Sequence, residues 1–185
     1  MQFSLLDKIV ELKPGVSITA SKILSPDEQY LKDHFPRFPV MPGVLMLECM
    51  FQAGAWLIRQ TDGFAHSAVL LKEARNVKYS DFVTPGKELI VTAEILKQDE
   101  QTTTLKTQGT IDGNVAVAAR LVIERFNIGD RVPSRASADP YARNHFREKF
   151  KQLVQPRNAN MRKIDPAHSS APVRTESPQT SLSRS

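Results

Sequence analysis

Residues 34–52 read His34-Phe-Pro-Arg-Phe-Pro-Val-Met-Pro-Gly43-Val-Leu-Met-Leu-Glu48-Cys-Met-Phe-Gln52, and their order decides the fold. Pro36, Pro39 and Pro42 pin an extended segment that runs straight into an apolar run. The run predicts a helix from Gly43 to about Gln60, stopped by Thr61-Asp-Gly63. Between Val44 and Ile58 only Glu48 and Gln52 are polar, whereas a surface helix carries a broad polar face. Such a helix belongs inside the molecule, and a carboxylate within it must be paired, neutral or functional. The competing reading makes Glu48, Gln52 and Arg59 the solvent stripe of an amphipathic helix, since they share one face. A histidine before the helix, free N–H groups at its start and a carboxylate one turn inside can remove one proton and donate another. The expectation is an acid/base enzyme.

Working outward, 185 residues leave room for one domain and an appendage. Hydrophobic residues make up 41%, enough for a real core, and charged residues 24%. A single cysteine excludes an intramolecular disulfide framework and fits a reducing cytoplasm. Cys49 itself reads as a small packed hydrophobe. The N-terminus carries an acid at position 7 and no apolar run, unlike a signal peptide. The apolar run at 44–58 is too short to cross a bilayer about 30 Å thick, so no stable membrane insertion is expected. Residues 1–126 carry a net charge of −1 and residues 127–185 one of +6, so the basic character belongs to the tail.

Strands are predicted at 2–12 and 16–24, joined by the turn Lys13-Pro-Gly15, and after the helix at 67–72, 75–80, 88–98, 101–111 and 114–126. Asp112-Gly113 marks a hairpin between the last two. Antiparallel strands around one apolar helix give an α+β class, with a sheet curled around that helix. The sheet keeps edges, which invite pairing with a second copy.

The run His34-Phe-Pro-x-x-Pro-Val-Met-Pro-Gly43-Val-Leu-x-Leu-Glu48-x-Met-x-Gln52 resembles the active-site signature of the β-hydroxyacyl-acyl-carrier-protein dehydratases of the FabZ/FabA type. The likeness continues through Glu73-Ala-Arg75, Lys78, Val83-Thr-Pro85-Gly86 and the Asp112-Gly113 hairpin, and covers about residues 4–126. It implies a hot-dog fold, an antiparallel sheet wrapping one long helix. By the same resemblance His34 and Glu48 are the catalytic pair, and the Gly43 N–H polarises the substrate carbonyl. Gln52, Phe35 and Val44 join Gly43 as substrate-binding positions. The implied reaction is dehydration of a (3R)-hydroxyacyl thioester carried on the phosphopantetheine of an acyl carrier protein, with no metal and no resident cofactor. The implied assembly is a homodimer, or a trimer of dimers, in which the histidine of one subunit faces the helix carboxylate of the other. Glutamate at position 48 resembles the plain dehydratases more than those that also isomerise the double bond. Asp33 and Arg37 replace two glycines usual in the family, which bears on substrate range and efficiency.

The chemistry suits these residues. Imidazole titrates near neutrality and accepts a proton, while apolar surroundings favour the neutral, proton-donating form of a carboxyl. Rival readings are a hot-dog thioesterase and a non-catalytic acyl-binding or scaffold subunit. His66, His145 and His168 read as surface residues, and no metal-ligand or phosphate-loop motif is present. Arg37, Arg75 and Lys78 are candidates for steering an acidic carrier. Residues 127–156 read as a linker and a short basic helix with Ala142, Phe146, Phe150, Leu153 and Val154 on one side. Residues 157–185 have a disorder-prone composition. Aromatic and basic residues do not interleave there, so no nucleic-acid partner is expected.

Overall fold

A computed structural model of the chain describes residues 4–154. Residues 1–3 and the expected disordered tail at 157–185 lie outside them. The described residues form β1 (Lys8–Lys13), β2 (Ser17–Ile23), α1 (Gly43–Thr61), β3 (Ala68–Tyr79), β4 (Glu88–Gln98), β5 (Thr102–Ile111), β6 (Asn114–Phe126), α2 (Ile128–Arg131) and α3 (Ala138–Val154). The strands make one antiparallel sheet in the order β1-β2-β4-β5-β6-β3, with β1 and β3 at its edges. Helix α1 packs against β2, β3, β4, β5 and β6 and is buried from Met46 to Arg59, apart from its half-buried residues 47, 48, 51 and 52. This is the α+β hot-dog arrangement. No helix among the described residues is long and apolar enough to cross a membrane.

The helix lies close to the sheet because Gly54 has no side chain. A Cβ there would run into Leu105 and come within 3.1 Å of Ile123. The last hairpin turns as its sequence dictates, since Asp112 and Gly113 have φ of 50° and 84°, the paired positive values of a type I′ turn.

One expectation fails in detail. The strands predicted at 67–72 and 75–80 are a single strand, β3, so the sheet has six strands among the described residues rather than seven. Its pairing with β6 slips between Leu71 and Glu73 and again between Arg75 and Lys78, and Asn76 has φ of 53°. Bulges break the alternation that a sequence reading depends on, yet the ladder continues through them. The predicted first strand starts later too. Leu5 and Leu6 are buried without belonging to a strand.

Beyond β6, the chain folds back over the C-terminal half of α1. Phe146 and Phe150 meet the Trp56 ring at centroid distances of 5.9 and 6.0 Å, and Phe150 meets Phe64 at 5.8 Å. Leu153 is buried, whereas Val154 is half exposed and lies off the face predicted for it. A buried polar clasp fixes the approach. Ser67 Oγ donates to Asp139 Oδ1 at 2.5 Å, and the same carboxylate accepts the N–H groups of Ile128 at 2.8 Å and Gly129 at 3.0 Å. These donors hold the Asp139 carboxyl below its ordinary range, the Ser67 hydroxyl most of all.

A carboxylate with a lowered folded pKa adds stability that is complete above the ordinary aspartate range and fades as pH falls through the folded value. Asp139→Ala should therefore lower the melting temperature at pH 7. The gap between variant and wild type should close as pH is taken down towards 3. Melting curves across that range check both statements, and a gap independent of pH would show that the clasp acts without its charge.

Candidate active site

His34 follows a short 3₁₀ turn at Gln29–Lys32, and its N–H donates to the Tyr30 carbonyl at 3.0 Å. Its Nδ1 lies 3.1 Å from the Val40 carbonyl oxygen. A carbonyl only accepts, so Nδ1 carries the hydrogen, and the neutral ring keeps its lone pair on Nε2. The loop that does this is tightly wound. Phe35 has φ of 53°, a region costly for a bulky side chain, and its carbonyl accepts the Phe38 N–H at 2.8 Å. The Met41 N–H donates to the Val83 carbonyl at 2.9 Å and ties the far end of the loop to the segment before β4. His34 opens on a cavity of about 250 Å³ shared with Phe35, Met41, Gly43, Met46 and Tyr79.

Gly43 is the first residue of α1, so its N–H has no acceptor within the helix. It points the positive end of the helix dipole into the region beside His34. A Cβ at this position would come within 2.9 Å of the Tyr79 ring. The glycine thus serves both backbone access and the close passage of β3.

Glu48 is half buried one turn further along. Gln52 Nε2 donates to Glu48 Oε1 at 2.9 Å, while Gln52 Oε1 accepts the Leu5 N–H, also at 2.9 Å. The backbone at Leu5 therefore orients the amide, and the amide positions the carboxyl group. Both residues line a second cavity of about 350 Å³, bounded by Trp56 and Arg59 of α1, Leu70 of β3 and Phe146 of α3.

Within one chain, His34, Phe35 and Gly43 come together, and so do Glu48 and Gln52. The two cavities have no lining residue in common. Val44 lines neither and is 68% exposed. Around the His34 cavity Phe35, Phe38, Tyr79 and Phe82 are also exposed, an apolar patch beyond the scattered hydrophobics of an ordinary surface. The sequence reading missed Tyr79 and Phe82, which reach this wall from β3 and the loop after it. Only the pairing of β3 with β6 reveals their position. The solvent-stripe reading of α1 does not hold, since Arg59 is 92% buried and Glu48 and Gln52 are half buried.

Cys49 is buried, and that burial pushes its thiol up to about 12, far from a reactive thiolate. His66 Nδ1 lies 3.3 Å from Asp62 Oδ2, and His145 stacks on Tyr141. Among the described residues no group of three or more His, Cys, Asp or Glu side chains is placed to hold a metal ion. Arg75 is ion-paired with Glu73 at 2.5 Å, which leaves Arg37 and Lys78 as the freer cations of the three singled out for steering.

The family model for the FabA-like domain matches residues 1–120. The 3-hydroxyacyl-[acyl-carrier-protein] dehydratase FabZ of Levilactobacillus brevis is 35% identical over 116 residues, spanning 63% of this chain and 78% of that protein. The protein of the same name from Clostridium botulinum is 36% identical over 120 residues, spanning 65% and 83%. Among solved structures, the dehydratase heterocomplex ApeI:P from Xenorhabdus doucetiae matches with a TM-score of 0.59 at 22% identity, over 70% of this chain and 88% of that one. That last match is a likeness of fold. Helix α3 lies beyond the residues that the family model matches.

The contact at Gly43 has a measurable consequence. Gly43→Ala should destabilise the chain by about 1–3 kcal/mol, the usual cost of overpacking against a rigid group. In a Tyr79→Ala background most of that cost should vanish, since the ring is what the new methyl meets. Urea midpoints for the four proteins of this cycle check it.

Proposed function

The chain belongs to the FabA-like domain family, and from that premise we propose that it is a 3-hydroxyacyl-[acyl-carrier-protein] dehydratase. In this reading it is a hydro-lyase of fatty-acid or related acyl-chain synthesis, taking a (3R)-hydroxyacyl thioester to the trans-2-enoyl thioester and water. The observation that carries the reading is the bond from His34 Nδ1 to the Val40 carbonyl. It leaves Nε2 as a base in a cavity that also holds the free N–H of Gly43. Nε2 takes the α-proton of the thioester. The negative charge that develops on the thioester oxygen is met by the Gly43 N–H at the helix start, a donor fixed before the reaction begins. Glu48, positioned by Gln52, protonates the β-hydroxyl as it leaves as water. The base, the acid and the donor to the developing oxyanion all come from the chain itself, so the proposal includes no metal and no resident cofactor. The thioester arrives on the phosphopantetheine of an acyl carrier protein, the carrier in the names of the FabZ relatives. Arg37 and Lys78 are the exposed cations proposed to meet it.

The same proposal assembles each site from two chains. Leu70 of β3 borders the Glu48 cavity and Tyr79 of β3 borders the His34 cavity. Their partners on β6, Glu124 and Val117, are seven steps of strand apart, roughly 23 Å at about 3.3 Å per residue. Strand β3 is a sheet edge with Leu70, Leu71 and Tyr79 exposed. Antiparallel pairing of two β3 edges about a two-fold axis would carry the Tyr79 end of one chain to the Leu70 end of the other. His34 and Gly43 of one protomer would then face Glu48 and Gln52 of its partner. A homodimer is the smallest assembly that does this, and a trimer of such dimers keeps the same sites.

His34→Ala and Glu48→Gln should each reduce dehydration of a hydroxyacyl carrier-protein substrate by on the order of 10²–10⁴. Mixed after verified subunit exchange, the two inactive variants should regain activity, because a mixed dimer rebuilds one intact site of its two. Near-normal turnover by either variant removes that residue from the mechanism. No recovery on mixing overturns the shared site while leaving the reaction standing.

A further inference from the structure

Arg59 has no function in the reaction just described, and its setting is unusual for a cation. Its side chain is 92% buried, and Nε has no hydrogen-bond partner. No ion pair to it occurs among the described residues; its neighbours are aromatic. The guanidinium carbon lies 3.9 Å from the centre of the Phe146 ring and 5.4 Å from that of Trp56. Burial pushes its pKa down to about 10, so it remains a cation at neutral pH. It lines the Glu48 cavity together with Lys149 of α3. Glu48 is the sole acid in that wall, and it stands eleven residues up the helix, about 16 Å at 1.5 Å per residue. The guanidinium therefore stands away from the one carboxylate of the lining, in a cavity walled by Phe51, Trp56 and Leu70 whose other cation is Lys149.

We propose that this cavity receives the distal part of the acyl chain, and that Arg59, aided by Lys149 of the same lining, binds a carboxylate at the chain's far end. The preferred substrates would then be ω-carboxyacyl thioesters rather than methyl-ended ones. An apolar wall with a buried cation well away from the Glu48 carboxylate suits a chain that is hydrocarbon along its length and anionic at its tip. Helix α3, outside the stretch matched by the family, supplies Phe146 and Lys149, whereas Arg59 itself lies within that stretch. The direction of the chain, from Glu48 towards Arg59, rests on the dehydratase reading.

Binding tests the proposal separately from turnover. The probes are the pantetheine thioester of dodecanoic acid and the mono-pantetheine thioester of dodecanedioic acid, titrated calorimetrically into the full-length protein. The dicarboxylic probe should bind about tenfold more tightly or better, as expected for a charge pair formed away from water, and the preference should shrink with added salt. Arg59→Met should abolish the preference, Arg59→Lys should keep part of it, and Lys149→Met should reduce it. Equal or weaker binding of the dicarboxylic probe by the wild-type protein overturns the proposal, whatever the variants do. So does a preference that survives in a cooperatively folded Arg59→Met protein. Failure of the dehydratase reading would be seen as no turnover of either hydroxyacyl substrate, a result independent of these binding ratios.

Discussion

A helix that is apolar around most of its circumference cannot be buried by one flat layer, and the rest of this structure answers that constraint. Strands β2 to β6 pack against α1 because the sheet curls around it, and Gly54 lets the helix settle against Leu105 and Ile123. A curled sheet that does not close leaves one flank of the helix uncovered. On that flank stand the polar residues of α1, Glu48, Gln52 and Arg59, in a cavity walled by the start of β3. Glu48 and Gln52 stay half buried there, while Arg59 is covered by Phe146 of α3, and all three line the cavity. Folding and function thus divide one helix by face.

The opposite constraint operates at the start of α1. There the proposed reaction needs an imidazole and a helix N-terminus held in fixed relation, since misplacement by about 1 Å costs catalysts heavily. The chain achieves this with backbone bonds at both ends of the His34 loop and with Phe35 forced into the left-handed region. Such strain persists only where the surroundings over-determine it. Here the prolines at 36, 39 and 42 and the Val83 carbonyl do so. In the proposed two-chain assembly, the exposed aromatic rings around the cavity face a second copy rather than forming part of the chain's own core.

Much of this could be read from the chain itself, for a physical reason. The extent of α1, the hairpin at Asp112-Gly113 and the strands at 88–98 and 114–126 are local consequences of apolar periodicity and turn chemistry. So was the shared helix face of Gln52 and Glu48, four residues apart, although not the hydrogen bond between them. What stayed hidden depends on distant partners. Tyr79 meets Gly43 only because β3 returns along β6. The clasp that seats α3 joins Ser67 to Asp139 across 72 residues. The single strand β3 looked like two because its bulges interrupt the alternation. The separation of His34 from Glu48 within one chain is likewise a property of the curled sheet, invisible in the thirteen residues between them.

Arg59 shows how magnitudes choose between readings of a buried charge. Its rings give it cation–π contacts, worth about 2 kcal/mol when desolvated. Taking a guanidinium out of water costs several kcal/mol even after the surroundings relax. The aromatic contacts therefore offset only part of the cost, and a methionine would fill the same space between Trp56 and Phe146 without it. A residue kept purely to seat α3 on α1 has no need of charge, because Phe146, Phe150 and the Asp139 clasp already perform that task. The remaining deficit has the size that an arriving anion recovers when it meets a cation already stripped of water. In the resting protein the guanidinium faces a cavity with space for such a group. The energetic imbalance and the geometry thus identify the guanidinium as a site for negative charge.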